Sequence, residues 1–306
     1  MRSAVARKRA TNGPDGILLV DKPAGWTSHD VVAKVRWLLG QPRTGHAGTL
    51  DPFATGLLVL CLGQATRLSE YVMAHEKTYT GEIVLGIATD TADCEGAVTA
   101  RRPVPPLDGA TLERLARQFT GRIAQVPPAY SAVKVAGQRA YDLARQGKAV
   151  ELAARPVEVF ELQLTLLAAD RLRIDVRCGP GTYIRSLARD IGEALGCGAH
   201  LASLRRLRSG RFAVDEAWSV EELERLAGMG RAGEAVLPAD EALLEHDCAL
   251  LGPSGAAAFV HGNVHRAGGA LRPAPAARVY STAGQFLGVG AVDAGGSVQP
   301  VKVFRA

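Results

Sequence analysis

The hydrophobic pattern of this chain changes between strand-like and helix-like segments. Leu57 to Leu62 is an unbroken apolar run, which is typical of a strand buried on both faces. From Thr78 to Ile87, and again from Arg171 to Cys178, apolar and polar residues alternate, which predicts half-buried strands. These segments follow no regular strand–helix–strand rhythm, so the pattern predicts an α+β fold with a mixed, mostly antiparallel sheet.

Apolar residues at helical spacing predict helices between these strands. One helix begins after Thr27 or Ser28, since either hydroxyl can cap it, and it ends at Gly40. A second helix covers Thr111 to Phe119, and a third follows Thr182. The helices are therefore interspersed among the strands rather than collected at one end of the chain.

Composition divides the chain into three predicted regions. Residues 1–14 are small, basic and polar, and they predict a disordered tail. Residues 15–248 contain the long strands and helices and predict one large domain. After Asp247 the composition shifts to small residues, glycine and proline, and short apolar runs predict a small β-rich domain over residues 249–306.

Basic segments suit an acidic partner such as nucleic acid. The formal net charge is +5, and residues 1–14 contribute four positive charges and no negative one. Residues 127–151 mix basic and aromatic side chains, which suits RNA, although an exposed helical hairpin explains the mixture nearly as well. Leu204 to Arg211 contains four arginines and predicts a strand edge or a loop. There the arginines are either solvated or placed to reach phosphate.

Cysteine usage and hydropathy argue against several classes of protein. The five cysteines form no C-x-x-C pair and have no histidine at metal-ligand spacing, so we expect no zinc site. Neither a Rossmann fingerprint nor a nucleotide-binding P-loop is present. No run of 18 apolar residues predicts a membrane span, and the basic start lacks the apolar segment of a signal peptide. We therefore expect a cytoplasmic protein that uses no cofactor and no metal.

The stretch richest in chemistry runs from Arg43 to Glu70, where His46 and Asp51 lie among glycines ahead of the apolar run. An Asp-Pro pair in such a loop is usually a turn. A carboxylate on a tight loop backed by a buried strand can also hold an oxygen nucleophile still. The position of Arg185 also needs an explanation, because the dipole of a helix disfavours a cation in the first turn. Either a carboxylate partner or plain solvation would explain it.

Seven short motifs occur in order along the chain. They are DKPAGWTS (21–28), GHAGTLDPFATG (45–56), KTY (77–79), GIATDTAD (86–93), PPAYSAVK (127–134), GTYIRSL (181–187) and CGAHLASLRRL (197–207). Together they resemble the TruB family of tRNA pseudouridine-55 synthases, and the resemblance covers nearly everything from Gly16 to Arg305. Seven collinear motifs are far more specific than one, so the interpretation of Asp51 as only a turn residue is set aside on this ground.

The resemblance implies both an architecture and a reaction. It implies a pseudouridine-synthase catalytic domain over residues 15–248, with an RNA-contacting insertion at 127–151, and a PUA-like RNA-binding domain over residues 249–306. It also implies that uridine 55, in the loop of the tRNA T-arm, is flipped out of its loop and isomerised to pseudouridine. An aspartate nucleophile performs this reaction without a cofactor or a metal.

The family's functional residues fall on named positions of this chain. The nucleophile falls on Asp51, its cationic partner on Arg185, and the aromatic ring that stacks on the uracil and assists proton removal on Tyr79. His46 matches the residue that fills the gap left by the flipped base. The positions matched to substrate binding are His46, Tyr79, Tyr183 and Leu204.

Three other functions remain to be weighed against this one. The first is a guide-RNA-dependent pseudouridine synthase subunit, which the compact chain and the 127–151 insertion disfavour. The second is a tRNA-binding or tRNA-folding protein without catalysis, which the intact Asp51, Tyr79 and Arg185 disfavour. The third is an unrelated hydrolase with an aspartyl nucleophile, which would need a D-x-D pair or a metal cluster. We expect tRNA as the partner, no membrane, and a monomer.

Overall fold

The structure of the protein is a computed structural model that describes residues 13–128, 134–135, 138–139, 152–268 and 271–305. Most of the predicted basic tail over residues 1–14 lies outside the described residues, and so does most of the predicted insertion over residues 127–151. Both of these therefore stay predictions. Within the part of the chain that is described, no helix is both long enough and apolar enough to cross a membrane.

The described elements are mainly strands. The strands are β1 (Gly16–Lys22), β2 (Thr44–His46), β3 (Thr55–Leu62), β4 (Lys77–Leu85), β5 (Ile87–Thr89), β6 (Val98–Arg101), β7 (Gly121–Gln125), β8 (Lys134–Val135), β9 (Gln138–Arg139), β10 (Arg155–Ala168), β11 (Arg171–Cys178), β12 (Ala199–Ser209), β13 (Phe212–Ala213), β14 (Trp218–Ser219), β15 (Cys248–Leu251), β16 (His265–Arg266), β17 (Ala274–Ser281), β18 (Phe286–Val292) and β19 (Ser297–Val303). The α-helices are α1 (Ser28–Leu39), α2 (Ser69–Ala74), α3 (Gly109–Gln118), α4 (Ile184–Ala194), α5 (Val220–Gly228) and α6 (Pro253–Val260). Short 3-10 helices cover Gly63–Leu68, Val214–Glu216, Ala232–Ala235 and Ala239–Leu243.

The main sheet runs in the order β14-β1-β3-β12-β4-β11-β10-β7, with β2 added to β3 and β13 added to β12. Two pairings, β1 with β14 and β12 with β3, are parallel. The other pairings within this sheet are antiparallel. The predicted α+β fold with a mixed, mostly antiparallel sheet is thus confirmed.

One face of the main sheet is covered by helices, and its other face is covered around β1 and β3. Helices α1, α3, α4 and α5 pack on one face, where their apolar stripes meet the inward residues of β1, β3, β4, β11 and β12. On the other face, alternate residues such as Leu19, Leu57 and Val59 pack against Leu68 and Val72. Because β3 lies between two packed layers, its apolar run is continuous rather than alternating.

Three predicted boundaries changed in informative ways. Thr27 caps α1 and forms a capping box with Asp30, so the alternative cap at Ser28 was wrong. The strand predicted from Thr78 to Ile87 stops at Leu85, because Gly86 adopts a positive φ of 80° and the chain turns into β5.

The arginine-rich segment is the third and largest correction. Leu204 to Ser209 does not form a strand edge or a loop but belongs to β12, which lies between β3 and β4 in the middle of the sheet. Arg206 is only 2% exposed there. Side chains in a strand alternate between its two faces, so Arg206 is buried in the core while Arg205 and Arg208 stay at least partly exposed on the other side.

The C-terminal residues form a second sheet in the order β15-β17-β18-β19-β16, with its own apolar core and helix α6. Ala276, Val289 and Phe304 from this sheet reach into the core of the main sheet's second face. The side-chain amide of Gln64 accepts from the Arg305 N–H at 2.8 Å and donates to the Arg305 carbonyl at 2.7 Å. The two sheets are therefore packed together through apolar contacts and direct hydrogen bonds.

Candidate active site

Asp51 lies in the loop between β2 and β3, and this loop is anchored on both sides of the carboxylate. The Ser28 hydroxyl accepts from the Leu50 N–H at 2.9 Å and contacts the Leu50 carbonyl at 3.1 Å. The buried ammonium of Lys22 donates to the Pro52 carbonyl at 3.1 Å. Helix α1 and strand β1 thus hold the residues before and after Asp51, which fixes the origin of its side chain.

Gly56 explains how the loop joins the centre of the sheet. It has a φ of 96°, and a Cβ at this position would lie 2.3 Å from the carbonyl oxygen of Arg206. Gly56 and Arg206 are register partners in the parallel pairing of β3 with β12. Any side chain at position 56 would push these strands apart, so glycine is required for β3 to lie against β12 just after the Asp51 loop.

Arg185 extends from the first turn of α4 to Asp51. Its Nε lies 2.9 Å from Asp51 Oδ2, and its Nη2 donates to Asp51 Oδ1 at 3.1 Å. The Arg185 residue is 5% exposed while the Asp51 side chain is 31% exposed, so this is a bidentate ion pair with a buried guanidinium and a partly accessible carboxylate. The question left open by the sequence is answered: the first-turn cation has a carboxylate partner, and it is not a solvated arginine.

Asp93 is a second carboxylate on the same guanidinium. Arg185 Nη1 donates to Asp93 Oδ2 at 3.2 Å and to the Thr91 carbonyl at 3.2 Å. Asp93 is 4% exposed, and its other oxygen accepts from the Thr91 hydroxyl and the Glu95 N–H. The guanidinium plane is therefore held by Asp93 and Thr91 on one edge and presented to Asp51 on the other.

Opposing forces act on the ionisation of Asp51. Burial raises the pKa of its carboxyl, and the charge of Asp93 adds to that rise. The charge and hydrogen bonds of Arg185, and the charge of Lys22, lower the same pKa. A carboxylate with a raised pKa is a more basic oxygen, while the guanidinium keeps a population of it ionised.

Tyr79, Leu204 and Tyr183 lie on three different elements of the main domain. Tyr79 on β4 packs against the main core, and the charge of Asp51 contributes to the raised pKa of its phenol. Leu204 on β12 is 7% exposed and opposes Gly81 of β4. Tyr183 caps the start of α4, two residues before Arg185.

A buried amide fixes the backbone of Tyr183. Gln125, which is 1% exposed, accepts from the Tyr183 N–H at 2.8 Å and donates to the Tyr183 carbonyl at 3.1 Å. These two bonds attach the start of α4 to the end of β7. Because Arg185 lies in the same turn, they also help to set where the guanidinium meets Asp51.

His46 lies at the end of β2 and packs edge-on against His29, with ring centroids 5.4 Å apart. Burial and the nearby charges of His29 and Arg206 lower the pKa of His46 to about 4. The ring is therefore neutral near pH 7 and acts as a shaped, uncharged group. No hydrogen bond within the described residues joins His46 to the Asp51–Arg185 pair.

The sequence interpretation missed three site residues. Asp93 ends the GIATDTAD motif and Lys22 lies in the DKPAGWTS motif, so both were signalled by position but not assigned a role. Arg206 was grouped with solvated arginines, although Leu204 and Leu207 beside it were a sign of a buried strand. Its guanidinium donates to the carbonyls of Leu57 and Gly48.

No group of three or more histidine, cysteine, aspartate or glutamate residues in the described ranges is arranged to hold a metal ion. The expectation that the reaction needs no metal and no cofactor stays a prediction.

Comparison with solved structures places the fold among pseudouridine synthases. The chain superposes with a TM-score of 0.72 on a chain of the crystal structure of a Cbf5-Nop10-Gar1 complex, at 25% identity, covering 95% of this chain and 85% of that one. An H/ACA RNP bound to a substrate RNA containing 2'-deoxyuridine gives the same TM-score at 23% identity and the same coverage. The class of fold that carries the Asp51 loop is thereby defined.

Family models identify the group within that class. Residues 36–184 match the TruB family pseudouridylate synthase N-terminal domain, residues 185–244 the tRNA pseudouridylate synthase B C-terminal domain, and residues 250–304 the pseudouridine synthase II TruB C-terminal region. Curated relatives named tRNA pseudouridine synthase B, from Stutzerimonas stutzeri and Chromohalobacter salexigens, are each 44% identical and cover 98% of both chains. The chain belongs to the TruB family of pseudouridylate synthases.

Proposed function

We propose that this protein converts one uridine of tRNA, at position 55 in the T-arm loop, to pseudouridine, with Asp51 as the nucleophile. The observation that carries the proposal is the bidentate ion pair of Asp51 with Arg185 on a loop anchored at Leu50 and Pro52. The curated relatives named tRNA pseudouridine synthase B match this chain over its full length, which supports tRNA as the substrate class.

The reaction is an isomerisation that needs a nucleophile and a proton acceptor. Attack by an ionised Asp51 oxygen, at C1′ of the ribose or C6 of the base, frees the uracil from its N1–C1′ bond. The base rotates and C5 bonds to C1′, after which the C5 proton is lost and N1 carries a proton. The raised pKa of Asp51 suits an oxygen that must first form a bond and later leave.

The surrounding residues have separate proposed roles. A uridine within a folded RNA loop has to be extruded before its C1′ can reach a partly buried carboxylate. The neutral ring of His46 would fill the gap that the base leaves. Tyr79 would stack on the extruded uracil and relay the C5 proton, with its oxygen taking up that proton as its own hydroxyl proton is passed on toward N1. Leu204 and the side chain of Tyr183 would complete the walls around the nucleotide.

The guide-dependent alternative is not favoured. The solved assemblies that share the fold are 23–25% identical to this chain, whereas the curated tRNA enzymes are 41–44% identical over 98% of it. A protein without catalysis is disfavoured by the complete Asp51, Arg185 and Tyr79 set. We further propose that residues 249–306 act as a PUA-like RNA-binding domain, and that the protein works as a monomer in the cytoplasm, where tRNA is used in translation.

Pseudouridine formation by the purified chain alone tests this proposal. The protein is incubated with an unmodified tRNA transcript without guide RNA, added protein or cofactor, and the modified position is mapped by carbodiimide adduct and primer extension. We expect one pseudouridine per transcript, at position 55, and none in a transcript with cytidine at that position. Product only after addition of a guide RNA, or none with any RNA, would contradict the proposal.

A further inference from the structure

The guanidinium of Arg206 is buried below the candidate active site and forms no ion pair with an acidic side chain among the described residues. Arg206 is 2% exposed in the centre of the main sheet. Within the described residues, none of the ion pairs includes Arg206, although its neighbour Arg205 forms a bidentate pair with Asp21. A buried guanidinium without a counter-ion is costly, so its position calls for a functional reason.

The Arg206 side chain is directed to the loop that carries the nucleophile. Its Nε donates to the Leu57 carbonyl at 2.7 Å, and its Nη2 donates to the Gly48 carbonyl at 3.1 Å. Nη1 lies 3.5 Å from the Thr49 carbonyl. These contacts bracket the loop, because Gly48 and Thr49 precede Asp51 while Leu57 follows it in β3.

The Arg206 residue also lies beside Tyr79 in the sheet. Arg206 and Tyr79 are register partners in the antiparallel pairing of β12 with β4, which puts their side chains side by side on one face of the sheet. Arg206 thus contacts the Asp51 loop through its guanidinium and lies beside the residue whose ring is assigned to the uracil.

We propose that Arg206 is a positioning residue that joins the Asp51 loop to Tyr79 and holds a permanent positive charge beside the phenol oxygen. The carbonyl contacts set the distance between nucleophile and phenol. The charge stabilises the negative charge that develops on the phenol oxygen as its own hydroxyl proton leaves and the C5 proton replaces it. This inference rests on the proposed function of the site.

The electrostatics of Tyr79 agree with this role. Burial raises the pKa of Tyr79, and the charges of Cys178 on β11 and Asp51 in its loop act in the same direction. Arg206 opposes the rise through both its charge and its hydrogen bond. Removing the guanidinium should therefore raise the pKa of Tyr79 further, an effect that a purely structural arginine would not have.

Two substitutions separate the two parts of the role. Arg206→Met keeps an unbranched buried chain but removes the charge and all the hydrogen bonds. Arg206→Lys keeps the charge and gives up most of the carbonyl contacts, since an ammonium is a single centre. Arg205→Lys is the matched control, because Arg205 is adjacent in the chain but points to the opposite face of the sheet and pairs with Asp21.

The test combines a titration without RNA and a rate with RNA. Titration of the Tyr79 ring is followed by NMR of ¹³Cζ-labelled tyrosine, assigned with Tyr79→Phe; this signal does not respond directly to ionisation of Cys178. Single-turnover pseudouridine formation and tRNA affinity are measured on the same preparations. We expect Arg206→Met to raise the Tyr79 midpoint and to slow turnover roughly 100-fold, with tRNA affinity nearly unchanged.

Arg206→Lys should slow turnover while leaving the Tyr79 midpoint near that of the wild type, and Arg205→Lys should change neither. A wild-type Tyr79 midpoint in a folded Arg206→Met protein would overturn the proposal. If that variant does not fold, wild-type turnover by Arg206→Lys would overturn it as well. A wild-type protein that forms no pseudouridine would instead refute the proposed function, so the two failures are distinguishable.

Discussion

Replacing Arg185 with lysine should uncouple the charge of the cation from its geometry. The guanidinium makes two contacts to Asp51, at 2.9 and 3.1 Å, and one contact each to Asp93 and the Thr91 carbonyl, both at 3.2 Å. A lysine ammonium is still positive, but it has a single nitrogen and its side chain is shorter. It can satisfy one carboxylate oxygen at a time, so Asp51 loses its fixed orientation.

The size of the effect follows from the hydrogen bond to Asp51 that lysine cannot make. A hydrogen bond to a charged group contributes about 1.5–3 kcal/mol, so losing the hydrogen bond from Nη2 to Asp51 Oδ1 weakens the positioning of Asp51 by about that amount. At about 1.36 kcal/mol per tenfold in rate, this converts to a loss of roughly 10- to 150-fold. Affinity for tRNA should change little, because phosphate contacts elsewhere dominate RNA binding.

Single-turnover pseudouridine formation at saturating unmodified tRNA measures the rate, and filter binding measures the affinity. Arg189→Lys is the matched control, since Arg189 lies one turn along α4 and bonds Asp190 and the Val126 carbonyl. We expect the control to keep a wild-type rate. A folded Arg185→Lys enzyme with a rate within about threefold of the wild type would refute the idea that the Arg185 guanidinium orients the Asp51 carboxylate.

Three further outcomes are expected. His46→Ala should slow extrusion of the base, followed by stopped-flow fluorescence of a labelled T-loop; unchanged extrusion and turnover would remove that role from His46. Burial raises the pKa of Asp51, and only its ionised form attacks. The single-turnover rate should therefore fall on acidification with a midpoint above the ordinary pKa of aspartate. A midpoint of the pH–rate profile below that ordinary pKa would contradict this. Phe304→Ala should lower the free energy of unfolding, measured by urea titration, by about 3–5 kcal/mol, because Phe304 fills the core between the sheets. Val301→Ala, at an exposed position, is the control and should change that free energy little. Equal effects of the two substitutions would argue against the shared core.

Periodicity was sufficient for the elements whose environment is simple. The alternation from Arg171 to Cys178 gave the right strand, because one face of β11 is buried and the other carries charged side chains. It failed at Arg206, because local pattern cannot tell which strand lies at the centre of a sheet. That depends on the pairing of β12 with both β3 and β4, which brings together residues about 114–150 positions apart.

For some site residues the sequence predicted a role, and for others it did not. Asp51, Arg185 and Tyr79 could be named through the family motifs, and the structure pairs Asp51 with Arg185. Asp93 was within a motif but had no role, because its purpose appears only when Arg185 reaches it across 92 positions of sequence. The docking of the C-terminal sheet through Gln64 and Phe304 was not predictable from composition, since both residues look ordinary in their local sequence.

The central claim is that the Asp51 carboxylate is the nucleophile, and Asp51→Asn tests it most directly. Asparagine keeps the size and much of the hydrogen-bonding shape but lacks the charge, and it would serve nearly as well if Asp51 only stabilised a turn. The measurement is pseudouridine formed per enzyme in a single turnover at saturating tRNA, with affinity determined on the same preparation. The account predicts a rate lower by roughly 10⁴-fold or more with tRNA binding nearly unchanged. A variant that folds, binds tRNA and isomerises uridine at close to the wild-type rate would contradict it.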